Sequence, residues 1–395
     1  MSFILILFLI FQDMILKNFP SDSILNYWDE SLTLLLIIIA VLMLLAGKAV
    51  LKKADLLVIM TMVAIVVVGL ISNLMFRLQP SGMTIIRDIV GFVKFPACFS
   101  AMRIIGLDDF FAKHMKLQSI QILRIIVIVE FLLSIISLFK NIGMSQSEIR
   151  YGIRPFEFLF SHPTYLVLAN VFILVILDST LFSKGILKYE FMLLIVITLS
   201  MRTKGIAIVL VYMVFKYAAK YLKRAKWLVW PGAFLAIYVA GISKVKLYLT
   251  YSGSPRQSLY EGAFKLMKEY FPIGSGFGTF GSMLSGSNSS VYNFIGISGA
   301  WINGELTTVL GDAGYAYFIG QFGFLGCLLY IAMFYVMYKV ATEQKKKLPG
   351  IILLLYVIIA LTTEATTSNA GTQIGIILSI IIRMEYLGQK NMELV

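Results

Sequence analysis

Apolar residues recur along this chain in long, nearly unbroken runs separated by short polar breaks. A bilayer core takes about 20 apolar residues per helix. Twelve runs approach that length, near 3–17, 31–47, 55–75, 83–105, 118–139, 155–178, 187–201, 204–220, 226–242, 312–339, 350–364 and 370–386. The pattern predicts an all-α, polytopic integral membrane protein with about twelve transmembrane helices. The first run carries Asp13 and has neither a basic leader nor a small-residue cleavage site, so it reads as a helix and not as a cleaved signal peptide. Only Met201, Arg202 and Thr203 separate the seventh run from the eighth, which predicts a tight helical hairpin.

The breaks alternate in charge. One set holds Lys48, Lys52 and Lys53, then Arg103, Lys113 and Lys116, then Lys184 and Lys188, then Lys216, Lys220, Lys223, Arg224 and Lys226, then Lys339, Lys345, Lys346 and Lys347, with Arg383 and Lys390 in the tail. The opposite short breaks are poorer: Arg77, then Lys140, Arg150 and Arg154, then Arg202 and Lys204. Lys and Arg concentrate in cytoplasmic loops. Both termini are therefore expected in the cytoplasm, and residues 243–311 become one long extracytoplasmic loop holding eleven of the thirty glycines. With no repeat or linker, residues 1–395 read as a single membrane domain.

Composition narrows the function. The chain is 59% hydrophobic and 14% charged, with a mean hydropathy of +0.87. Soluble domains are about 45–50% apolar and about 25% charged. A cytosolic enzyme, a disulfide scaffold and a disordered chain are excluded. The net charge of +13 is accounted for by loop topology, so nucleic acid is not an expected partner. Cys98 and Cys327 imply neither a disulfide nor a metal site. The cytoplasmic breaks carry no nucleotide-binding or paired-carboxylate motif. Chemistry is then expected on the outer face, where a donor must arrive already activated, as a membrane-borne lipid diphosphate does. Hydropathy by itself favours a transporter, with the long loop as a lid, over an enzyme.

Candidate residues cluster late in the chain. Ser254, Pro255 and Gln257 predict the capped start of an amphipathic helix whose apolar face is Leu259, Ala263, Phe264, Met267 and Phe271, ended by Pro272. Arg256 in its first turn suits phosphate oxygens. The following Gly274, Gly276 and Gly278 permit close backbone approach to a ligand. Arg202 and Lys204 oppose the charge bias in a hairpin too short to carry them into water, and basic groups near lipid are functional by default. His162, beside Pro163, is a candidate proton relay. Arg87 and Asp88 read as a self-neutralising pair. Asp312 opens the tenth run as an N-cap and is also a candidate base at the outer mouth, with Glu305 a second candidate.

In this order of features the chain resembles the O-antigen polymerase and O-antigen ligase family of bacterial membrane glycosyltransferases. The resemblance covers about residues 155–340. It rests on the Arg-bearing hairpin Leu199–Lys204, the Arg-led helix running into Pro272-Ile273-Gly274-Ser275-Gly276-Phe277-Gly278-Thr279-Phe280, and a glycine-rich span opened by Asp312. It implies transfer of an undecaprenyl-diphosphate-linked glycan on the outer face of the inner membrane, without nucleotide, cofactor or obligatory metal. Arg202, Lys204 and Arg256 would clamp the diphosphate, and Asp312 or Glu305 would be the base. Ligases of the family carry a His where this chain has Asp312, which favours a polymerase, with a second lipid-linked unit as acceptor. A chain-length regulator and a flippase are the expected pathway partners. A flippase for lipid-linked oligosaccharides is the alternative; a membrane acyltransferase would want a His placed for base catalysis, as neither His114 nor His162 is.

Overall fold

The computed structural model describes residues 2–20, 23–115, 117–150, 152–180, 186–218, 230–235, 238, 255–286, 289–297, 310–343 and 347–392. The ninth expected span, Ser254 and Glu305 lie wholly or largely outside the described residues. The protein is all-α. Its helices are α1 (Ser2–Leu16), α2 (Trp28–Leu45), α3 (Lys53–Phe76), α4 (Gly82–Ile105), α5 (Leu107–His114), α6 (Leu117–Phe139), α7 (Pro163–Ser179), α8 (Ile186–Leu199), α9 (Thr203–Met213), α10 (Pro255–Glu269), α11 (Val291–Phe294), α12 (Gly314–Thr342), α13 (Leu348–Ala360), α14 (Thr366–Asn369) and α15 (Gly371–Met392).

Among the described residues four helices are long and apolar enough to cross a membrane: α2 with its preceding turn, α3, α6 and α12. A fifth span follows if α4 and α5 count as one, bent by 77° at Gly106. Gly106 takes φ +77 as the C-cap of α4, which breaks the axis there. Helices α1, α7, α13 and α15 are apolar but shorter. The sixth expected span begins later than its hydropathy. His162 caps α7 and Pro163 is its first residue, because Pro tolerates the first turn and not the interior.

Helix α15 lies against α4 at backbone distance, which Gly371 and Gly375 make possible. A Cβ on Gly375 would stand 2.6 Å from the Phe95 carbonyl oxygen. Small residues let membrane helices approach in this way.

The segment after α10 enters the bundle. Residues 272–280 insert between α3, α4 and α12, where α12 is broken at Gly323 (φ 58, ψ −157). The break frees carbonyls of α12, and the inserted backbone satisfies them: Ser275 N–H donates to Gly320 O at 3.0 Å and Gly276 N–H to Gln321 O at 2.8 Å. Leu325 N–H donates to Pro272 O at 3.0 Å. Within a membrane bundle irregular backbone is tolerated only where protein buries and bonds it. Asn73 brackets Phe277 with two bonds, accepting its N–H at 2.8 Å and donating to its carbonyl at 3.0 Å. Asp88 accepts the Gly278 N–H at 2.7 Å.

Two expectations change here. Asp88 is 4% exposed and Arg87 faces outward, so the neighbours diverge instead of pairing. The buried face of α10 is Leu259, Gly262, Ala263 and Leu266, not the expected one. Phe264 and Phe271 point away. Gly262 sets the rotation, since a Cβ there would meet Ile295 Cδ1 at 2.8 Å. This helix, Phe280, Tyr292 and the start of α12 form a second small core beside the main one.

Candidate functional site

Helix ends from distant parts of the chain meet around one cavity of about 890 Å³. Ligand sites run about 300–1,000 Å³. The first turns of α7, α9 and α10 reach it through Thr164, Lys204 and Arg256, and Gly311 and Asp312 reach it just before α12. The turn after α13 adds Thr362, Thr363 and Glu364. Helix N-termini carry partial positive charge and free N–H groups, so their convergence suits an anion.

The side chains reinforce that field. Arg150, Arg202, Lys204 and Arg256 line the cavity, against two carboxylates, Asp312 and Glu364. Arg202 caps α9 after Met201, which adopts a left-handed φ of 49 in the α8–α9 turn. That conformation is uncommon outside glycine and here turns the guanidinium inward. Arg202 Nη2 donates to Gln146 Oε1 at 2.9 Å. Gln146 and Arg150 sit on a small hairpin closed by reciprocal Arg150–Ile153 backbone bonds of 2.8 and 3.0 Å. Burial, with Arg150 nearby, lowers the Arg202 guanidinium to about 10, which leaves it charged at neutral pH.

Lys204 is 5% exposed and pairs with Glu364 Oε1 at 2.6 Å. Thr366 Oγ1 also donates to that oxygen, at 2.9 Å. Arg256 Nη2 donates to Asp312 Oδ2 at 2.8 Å. Asp312 therefore does not cap α12 as expected. Ala313 holds the N-cap position, and the carboxylate is directed to Arg256.

His162 Nδ1 accepts the Thr164 amide at 3.2 Å, and Nε2 faces the Arg202 guanidinium at 2.7 Å. The neutral ring carries one proton, so only one of these contacts is an accepted hydrogen bond, and a second ring proton would also point at a donor. Burial, then Arg202 and Lys204, push the imidazole down to about 4. As pH falls below the ordinary 6.5, the unfolded chain binds a proton that the folded chain takes only near 4, so stability is lost across that window. Thermal melts between pH 7 and 4 should show a smaller acid loss in His162→Gln than in wild type; parallel losses would reject the assignment.

The structure brings together Arg202, Lys204, Arg256, Asp312 and His162. It does not bring the glycines. Gly274, Gly276 and Gly278 have positive φ and face Gln321, Asn73 and Thr84, away from the cavity lining. Their open Cα positions admit other parts of the protein, not ligand. Arg150, Glu364 and Tyr260 belong to the lining although sequence reasoning did not select them. For Arg150 the signal was present, since it lies on the charge-poor side of the alternation.

No family model matches the chain, and no curated protein matches it either.

Proposed function

We propose that this protein polymerises undecaprenyl-diphosphate-linked oligosaccharide repeat units into a surface polysaccharide, O-antigen or capsule. It would act as a metal- and nucleotide-independent glycosyltransferase on the outer face of the bacterial cytoplasmic membrane. The observation that carries the reading is where the cavity's residues come from. In the twelve-span topology with both termini inside, Arg150 and His162, then Arg202 and Lys204, then Arg256 and Asp312, then Glu364 fall at successive outer connections. A cationic cavity at the outer membrane edge suits a lipid diphosphate headgroup.

In this reading Arg202, Lys204 and Arg256 bind the donor diphosphate. Asp312 accepts the proton of the acceptor hydroxyl as its oxygen attacks the anomeric carbon. The bond from that carbon to the diphosphate oxygen breaks, and undecaprenyl diphosphate leaves with the electron pair. Preorganised cations at that oxygen lower the barrier as charge builds there. Holding both lipid-linked units in one cleft adds proximity.

The break of α12 at Gly323 favours a second reading, a flippase for the same lipids, because transporters use discontinuous helices. One experiment separates the two. The gene is deleted in its glycan-bearing host and the surface glycan is run on a gel. Single-repeat glycans without a ladder support the polymerase. Loss of all surface glycan, with lipid-linked units retained inside, supports the flippase.

A further inference from the structure

Two of the cavity's cations are already occupied by the protein's own acids. Arg256 holds Asp312 and Lys204 holds Glu364, and all four side chains line the space where an anionic headgroup would sit. Neither acid lies within a helix. Asp312 precedes α12, and Glu364 stands in the turn between α13 and α14. Carboxylate and phosphate oxygens make the same charge-assisted bonds to guanidinium and ammonium groups. A lysine only 5% exposed cannot stand without a counter-ion at reasonable cost. Each acid also has somewhere to go. The Asp312 side chain is 40% exposed and is solvated once released. Glu364 retains the Thr366 hydroxyl.

We propose that Asp312 and Glu364 are displaceable counter-ions, each holding one cation in place in the empty cavity until a diphosphate oxygen takes its position. The proposal rests on the diphosphate reading above and assigns Glu364 a role in the site. It also links binding to chemistry, because the arriving diphosphate frees a carboxylate beside the acceptor hydroxyl.

The consequence has a sign that an ordinary binding residue lacks. Removing the charge while keeping the shape should tighten the ligand. Purified full-length protein in detergent is titrated calorimetrically, at fixed ionic strength, with inorganic diphosphate and separately with farnesyl diphosphate. Asp312→Asn is expected to lower Kd about threefold, and Glu364→Gln about tenfold because Lys204 is the more buried cation. Glu157→Gln serves as a control for long-range charge, since Glu157 acts on Arg202 through charge and does not line the cavity. It should change Kd less than twofold, roughly the limit for a half-buried charge that does not touch the ligand. Glu364→Gln should also melt lower than wild type without ligand and gain more from diphosphate.

Wild type that binds while both variants bind equally or more weakly overturns the proposal and leaves the diphosphate reading standing. An equal gain in the Glu157 control overturns it as well. Failure of wild type and both variants to bind either ligand overturns the reading and the proposal together. Tighter binding of free diphosphate alone supports the counter-ions and removes the lipid-linked substrate.

Discussion

Arg202→Ala and Arg256→Ala should each reduce glycan chain growth by about two to three orders of magnitude, the usual cost of losing one preorganised charge at a developing oxyanion. The amount of protein in the membrane should not change. Arg256 and Asp312 pair at 2.8 Å with side chains 28% and 40% exposed, so truncating the arginine leaves a carboxylate that water can solvate. Among the described residues Arg202 bonds Gln146 and His162 through its outer nitrogen, and both are neutral at physiological pH. Neither loss opens the core. Arg202→Lys should recover little, because an ammonium does not reproduce a planar fork aimed at both the neighbours and a phosphate. The measurement is a surface-glycan gel beside an immunoblot of the membrane fraction. Normal ladders in both alanine variants would remove these residues from the site.

The part of this site that could be read in sequence is the part written in charge. Arg202, Lys204 and Arg256 fall in the charge-poor set of the alternating breaks, and each lines the cavity. Glu364 carried no such mark. It sits at the edge of an apolar run, and its partner Lys204 is 160 residues away, so only folding gives the carboxylate a meaning. The helix α10 was legible as amphipathic but not in its rotation. Both candidate faces contain Leu259 and Ala263; the close contact of Gly262 with Phe280 and Ile295 decides between them. The same limit applies to the run of glycines after α10. Glycine marks a place where something comes near the backbone, and sequence does not say whether that is a ligand or another part of the chain.

That distinction yields the sharpest stability difference in the molecule. Gly274→Ala and Gly323→Ala should each abolish recovery of folded protein, whereas Gly278→Ala should be tolerated with a lowered melting temperature. At Gly274 (φ +73) a Cβ would stand 2.4 Å from Gly323 N and 2.6 Å from Gln321 O. At Gly323 (φ +58) it would stand 2.5 Å from Gly274 N and 2.6 Å from Pro272 O. These are main-chain atoms on both sides of the insertion, and they cannot move without losing the bonds from Ser275 and Gly276 to the broken helix. Left-handed backbone costs about 1–2 kcal/mol for a residue with a Cβ. Overpacking adds about 1–3 kcal/mol, and each ladder bond lost at this depth adds about 1–3 kcal/mol more. Against a total stability of about 5–15 kcal/mol, that sum removes most of the margin. Gly278 shares the strain, with φ +68, but its nearest neighbour is the Thr84 methyl at 3.0 Å, a side-chain atom that can shift. Size-exclusion profiles and thermal melts of the three variants test the order. If Gly274→Ala or Gly323→Ala yields monodisperse protein melting with wild type, residues 272–280 do not hold α12 at its break.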